Sequence, residues 1–235
     1  MLVLGVDTSG KNGSVALVRA EVDRQTNPPV ILKFESLEVI PLEGGTFSAQ
    51  LVPQISRLLA RHRIEKKEVD AFVVASGPGS FTGLRVGLAA IKGLAEILKK
   101  PIAEVSLLEA VARAANHDRR VLAAIDAGRQ EVYFGDYDFF RDQPCIGEEL
   151  LTQEELITKL RSNSGSDCAT PDKKIADLLS ARGLPVRALD WPRSDFIARI
   201  GLEKILAGKT TSPEDLEANY IRRSDAEIFS KPRSQ

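Results

Sequence analysis

At 235 residues the chain is long enough to bury a sizeable core and to fill one or two domains. Its 32 Lys+Arg against 33 Asp+Glu leave a formal net charge of −1, so no global positive field draws it onto nucleic-acid phosphates. The two cysteines, Cys145 and Cys168, form no CxxC and have no histidine close by in sequence to complete a zinc site.

No run approaches the roughly 18 apolar residues of a membrane span. The amino end, MLVLGVDTSG, is apolar for only a few residues before Asp7 and has no basic segment, so a secretory signal is not expected either. A reduced, cytoplasmic protein is the expectation.

Residues 2 to 7 (LVLGVD) are an apolar run ending in an acid, and SVALVRA (14 to 20) follows after the polar turn TSGKNG. This predicts a β-hairpin with Asp7 at its mouth. A third strand is predicted over 30 to 39, after Pro28-Pro29. SAQLVPQISRLLARH (48 to 62) carries Leu51, Ile55, Leu58 and Leu59 at helical spacing, with Pro53 early in the helix. VDAFVVAS (69 to 76) reads as a strand buried on both faces. It runs into ASGPGSFTGLRVG (75 to 87) and a helix that ends at two lysines before Pro101.

From about residue 102 the order restarts. IAEVS predicts a strand and LLEAVARAA a helix, and VLAAIDAGRQEVYFGDYDF (121 to 139) repeats the plan of the amino-terminal hairpin, with Asp126 in the place of Asp7. This predicts a duplicated, hairpin-led domain. Further helices are expected at 153–161, 172–183 and 194–208. SNSGSDCATP (162 to 171) should hold at most a short strand, and the charged tail from Ser212 is expected to be partly loose.

Asp7 and Ser9 admit two readings. They could hold Mg²⁺ through water and present N–H groups to a phosphate, or they could tie the turn by side-chain to backbone bonds. Asp126 carries the same ambiguity. The glycines of ASGPGSFTGLRVG aim free N–H groups at a helix mouth, yet the string matches neither GxxxxGK[ST] nor GxGxxG. Gly83, Gly87, Ala90 and Leu94 share one stripe, with Ala89, Gly93 and Ile97 beside it. Glycine inside a helix costs roughly 0.8–1 kcal/mol relative to alanine, so another backbone should come near: the chain's own sheet or a partner helix. His62 and His117 lie near helix ends among charged residues, and no GxSxG elbow is present, which disfavours triad hydrolysis.

GVDTS (5 to 9), GSVAL (13 to 17), SGPGSFTGLRVG (76 to 87), DAGRQEVYFG (126 to 135) and NYIRR (219 to 223) together resemble the TsaB (YeaZ) family over nearly the whole chain. The resemblance implies an α/β fold of two ribonuclease-H-like lobes, as in the actin/sugar-kinase/Hsp70 (ASKHA) superfamily. The boundaries it implies are an amino-terminal lobe at 1–102, a degenerate second lobe at 103–211, and a tail, 212–235, returning to the first lobe. It also implies a non-catalytic subunit in synthesis of N6-threonylcarbamoyladenosine on tRNA, paired with the metal-bearing transferase TsaD and joined by the ATPase TsaE. No cofactor, metal or catalytic residue is then expected.

The catalytic relatives hold metal with a histidine pair on the first long helix, whereas GGTFSAQLVPQ (44 to 54) contains none and has Phe47 at the place of the histidine common in TsaB sequences. The family further implies that helices at about 47–62 and 81–98 pack on the equivalent helices of TsaD as a four-helix bundle, a face that homodimers can also use. Phe47, Leu51, Phe81 and Val86 are the expected apolar anchors. Gln50, Gln54, Thr82, Gly83, Gly87, Ala90, Gly93 and Leu94 complete that face. Basic clusters at Arg61-His62-Arg63 with Lys66-Lys67 and at Arg222-Arg223 are expected to be solvated, with tRNA met only through the complex. The rival is an ATP- and Mg²⁺-dependent phosphotransferase or ATPase using Asp7 and Asp126; a peptidase is disfavoured because no triad or zinc set can be drawn.

Overall fold

The computed structural model describes residues 1–115, 120–141, 144–163 and 167–221. In chain order the elements are β1 (Leu2–Asp7), β2 (Asn12–Asp23), β3 (Val30–Glu43), α1 (Phe47–Arg61), β4 (Ala71–Gly77), α2 (Phe81–Leu98), β5 (Ile102–Ser106) and α3 (Leu107–Ala114). They continue with β6 (Arg120–Gly128), β7 (Glu131–Asp138), β8 (Cys145–Thr152), α4 (Gln153–Ser162), β9 (Cys168–Thr170), α5 (Lys173–Ala181), β10 (Val186–Ala188) and α6 (Ser194–Leu206).

The first sheet has the order β3-β2-β1-β4-β5. Its first three strands form an antiparallel meander, and β4 and β5 are parallel to β1. The second sheet, β8-β7-β6-β9-β10, repeats that order and those directions strand for strand. Each is the plan of a ribonuclease-H-like lobe, so the expected α/β fold class and the duplication are both present.

The described residues divide into two compact units, Met1–Ala110 with Trp191–Ala218, and those within Val111–Asp190 with residues 219–221. This corrects the expected boundaries. α6, assigned from sequence to a second lobe at 103–211, packs on the first sheet, where a Cβ on Gly201 would meet the Val73 side chain at 2.3 Å. The tail behaves similarly as far as Ala218. Thr211 bridges to Ile102, Lys92 Nζ donates to the Glu214 carbonyl at 3.2 Å, and Leu216, 5% exposed, enters the first core. Burying a leucine side chain is worth roughly 1.5–3 kcal/mol, enough to pin a short segment. Asn219 then donates to Glu148 within the second unit.

The core of the first unit gathers residues such as Leu4, Leu17, Phe72, Ile91 and Ile102 around the sheet. Every residue of β4 is buried, as its unbroken apolar run predicts. α1 begins at Phe47, so Pro53 is the seventh helical residue, deeper than a first-turn proline. The carbonyl it leaves without an N–H partner, that of Ala49, is on a residue exposed like Pro53 itself, where water can reach it. In the second unit Leu122, Phe134, Leu156, Ile175 and Leu179 form a smaller core. α4 starts on a capping box in which Thr152 Oγ1 accepts from Glu155 N and Glu155 Oε2 accepts from Thr152 N. Strands β8 and β10 are additions to the sequence-based expectation, and β9 is the short strand foreseen within SNSGSDCATP.

Candidate functional site

The turn between β1 and β2 is the best-enclosed polar feature of the first unit. Asp7, Thr8 and Ser9 are 6%, 1% and 1% exposed. Asp7 Oδ1 accepts from Ser9 N at 2.8 Å and from Ser9 Oγ at 2.6 Å. Burial raises the Asp7 carboxyl above its ordinary range, against the two Ser9 hydrogen bonds that favour its charge. The Ser9 carbonyl accepts from Ser80 N at 2.7 Å, and Thr8 Oγ1 donates to the Gly83 carbonyl at 2.7 Å.

α2 is launched over this turn by ASGPGSFTGLRVG, and here the glycines have a steric explanation. A Cβ on Gly79 would lie 2.2 Å from the Ser9 carbonyl oxygen, one on Gly83 would lie 2.1 Å from that of Thr8, and one on Gly87 would lie 2.4 Å from Thr8 Oγ1. Only the absence of those side chains lets α2 sit directly on the turn. Ser80 caps the helix, its Oγ accepting from Gly83 N at 3.3 Å. Of the two neighbours that could explain the stripe, Gly83 and Gly87 face the chain's own sheet. Gly93 differs. It is exposed, and among the described residues nothing lies within 4 Å of a Cβ built on it.

The expected interface residues therefore separate. Phe47 and Leu51, expected as apolar anchors, are 5% and 1% exposed and belong to the core of their own unit. Gly83 and Gly87 are likewise buried against Thr8. The family resemblance implied Phe47 and Leu51 as anchors, and the spacing of Gly83 and Gly87 left the sheet and a partner helix both open, because period alone does not say which neighbour a face meets. Gln50 turns back on its own loop, its Nε2 donating to Thr46 Oγ1 and its Oε1 accepting from Glu43 N. Gln54 is half-buried, and its Oε1 has no hydrogen-bond partner among the described residues.

Phe81 is 39% exposed under the Arg85 guanidinium, which stands 3.7 Å from its ring centroid. Thr82 and Gly93 are exposed, and Val86, Ala90 and Leu94 are half-buried at the rim of the core. Two exposed apolar residues of these helices are missing from the expected set, Ile97 on α2 at 80% and Val52 on α1 at 58%. The four-residue spacing of Ala89, Gly93 and Ile97 was the available signal for Ile97.

In the second unit Asp126 stands where Asp7 stands in the first, under different conditions. Its Oδ1 accepts from Gly128 N at 3.2 Å, its Oδ2 accepts from Lys174 Nζ at 3.1 Å, and its own N–H donates to Asp172 Oδ2 at 2.7 Å. No group of three or more His, Cys, Asp or Glu among the described residues is placed to hold a metal ion. His62 Nε2 lies 3.0 Å from Glu38 Oε2, and Arg61 pairs with the same carboxylate. In the basic cluster after α1, Lys67 is paired with Glu65. Cys168 is buried, which pushes its thiol up to about 12. His117 and Arg222-Arg223 lie outside the described residues, and among those described no helix is long and apolar enough to cross a membrane.

Comparison with known proteins adds the lineage. A family model described as "TsaD: tRNA N6-adenosine threonylcarbamoyltransferase" matches residues 39–196. The "tRNA threonylcarbamoyladenosine biosynthesis protein TsaB" of Escherichia coli is 31% identical over 96% of each chain. Its namesake from Haemophilus influenzae is 27% identical over 94% of each. YeaZ from Pseudomonas aeruginosa superposes with a TM-score of 0.70 at 25% identity, covering 93% of this chain and 100% of that one. The chain belongs to the TsaB (YeaZ) family and is related through residues 39–196 to the TsaD threonylcarbamoyltransferases.

Proposed function

We propose that this chain is the accessory subunit of a cytoplasmic complex that makes N6-threonylcarbamoyladenosine on tRNA, docking a TsaD-type transferase on the exposed faces of α1 and α2 and rendering it competent. The observation that carries the reading is Gly93. A glycine in a helix interior costs about 0.8–1 kcal/mol against alanine, and among the described residues nothing approaches its empty Cβ position. Ala89, Val86, Ala90 and the 80% exposed Ile97 surround it, a surface suited to a closely crossing partner helix.

The matched segment begins at residue 39, so α1 and α2 both lie within the region shared with TsaD. A TsaD-type partner would present counterparts of the same two helices, and two pairs of like helices can pack as a four-helix bundle. A second copy of this chain could use the same face as a homodimer, TsaE would join the ternary complex, and tRNA would be met through the complex. The rival ATPase reading requires free carboxylates. Asp7 is engaged by Ser9 and Asp126 by Lys174, which disfavours it.

Replacement of Gly93 by leucine tests the docking face without loading the fold, because the site is open and leucine is the better helix former. The variant is expected to melt no lower than the parent and to lose co-purification with a TsaD-type partner. Retention of the partner at parental affinity would sink the reading. Titration calorimetry with ATP and Mg²⁺ on the isolated chain addresses the rival, which requires binding that disappears in Asp7→Asn.

A further inference from the structure

The turn beneath α2 has a role that its burial at first conceals. Five glycines from three separate segments converge on it. Besides Gly79, Gly83 and Gly87, a Cβ on Gly44 would lie 1.9 Å from the Lys11 carbonyl oxygen, and one on Gly13 would lie 2.4 Å from that of Asp7. Close-packed backbone of this kind does not deform gradually; it transmits a displacement to whatever rests on it.

Two helices rest on it at their amino ends. Thr8 holds the first turn of α2 through its bond to the Gly83 carbonyl and through contact with the Gly87 position. Phe47, the first residue of α1, is wedged between turn and helix: Cβ atoms on Gly13 and Gly83 would lie 2.9 Å from its Cε1 and 3.3 Å from its Cε2. One ring thus links the turn, α1 and α2.

We infer that Thr8 is a positioning residue for partner binding: 1% exposed and out of a partner's reach, it sets the height of α2 on the sheet and, through Phe47, the spacing of α1 and α2. A strand-turn-helix arrangement of the kind that cradles phosphate elsewhere here serves as the seat of the docking helices. The inference rests on the docking role of α1 and α2 proposed above, but its first test does not need a partner.

Spin labels at Val52→Cys and Ile97→Cys, in a chain with Cys145→Ser, report the separation of the two exposed faces by electron–electron resonance. Thr8→Val keeps the shape of the side chain and removes the donor, whereas Thr8→Ser keeps the donor. Thr8→Val is expected to shift or broaden the distance distribution, and Thr8→Ser to restore it. An unchanged distribution in Thr8→Val overturns the inference whatever any partner does.

In the second test, affinity for a TsaD-type partner should fall about tenfold in Thr8→Val. It should change less than about twofold in Thr8→Ser and in Val105→Ala, a buried truncation on the edge strand β5 that loosens the same lobe elsewhere. Equal losses in Thr8→Val and Val105→Ala would reduce Thr8 to a general stability residue and overturn the inference. If Gly93→Leu fails to bind while Thr8→Val binds normally, the positioning role falls and the docking reading stands. If Gly93→Leu binds normally, the docking reading falls by itself.

Discussion

The two lobes are built on one strand order, yet the turn after the first strand is held by opposite chemistries. In the first lobe the Asp7 turn is buried and meets its helix by direct backbone approach, with glycines at every crowded point. In the second, Asp126 is only half-buried, and α5 reaches it through charge: Asp172 accepts from its backbone N–H and Lys174 pairs with its carboxylate. The helices that follow the first three strands differ in proportion. α1 and α2 have 15 and 18 residues, against 10 and 9 for α4 and α5. The same topology therefore supplies a rigid seat for long helices in one lobe and a shorter, electrostatically fastened arrangement in the other. Rigidity of this kind suits the docking role proposed for α1 and α2, since a face that is already in position loses less entropy on binding.

The sharpest way to break this contrast is to put a side chain where the first lobe tolerates none. Gly83→Leu drives a Cβ to 2.1 Å from a backbone oxygen that cannot rotate away. Forced overpacking of this kind costs about 3 kcal/mol or more when the backbone must move. Urea unfolding should show the loss directly, and refolded protein should no longer engage a partner. Gly93→Leu, ten residues further along the same helix, should lose binding alone. If Gly83→Leu unfolds at the parental urea concentration, the glycine seat is not what holds α2.

That pair of glycines also marks how far sequence reading reaches. Periodicity placed Gly83, Gly87 and Gly93 together on a small-residue surface, and apolar runs located β1, β4 and the long helices, because both patterns are local. Which neighbour each face meets is not local. Phe47 and Leu51 sit on the apolar stripe of an amphipathic helix, and the stripe is the same whether a sheet or a partner covers it. α6 was identified as a helix but assigned to the wrong lobe, since nothing in its own residues names the sheet it covers. β8 escaped because it is an edge strand whose residues are mostly exposed and include Glu148 and Glu149. β10 escaped because three residues carry no period. The repeated hairpin was readable because each copy ends its first strand in an aspartate before a turn of small residues.

A smaller effect sharpens the comparison through pH. The Asp7 carboxyl is raised above its unfolded value chiefly by burial, so the folded chain holds that proton more tightly than the unfolded chain does. Its contribution is therefore most favourable in acid and declines as pH rises from the ordinary carboxylate range through the raised folded value. Asp7→Asn keeps an oxygen able to accept both Ser9 bonds and removes the charge. The variant is expected to be at least as stable as the parent at neutral pH and to have a flatter stability profile across the weakly acidic range. Steeper loss of stability toward neutrality in the variant would contradict the burial argument.

The smallest expected effect belongs to the second lobe, and its smallness is the point. Lys174 is 64% exposed along its side chain, and its partner Asp126 is 22% exposed. An ion pair this open gains little over two hydrated charges, and Lys174→Met should cost no more than about 0.5 kcal/mol in low salt. Added salt screens exposed charges, so the difference between parent and variant should shrink as ionic strength rises. The Asp172 carboxylate still accepts from Asp126 N and continues to close the turn. A loss several times larger, insensitive to salt, would mean that this ion pair acts as a buried one and that the second turn is as rigidly seated as the first. Chemical denaturation at low and high salt measures both quantities in one series, and a small, screenable loss is what separates a charge-fastened turn from a glycine-seated one.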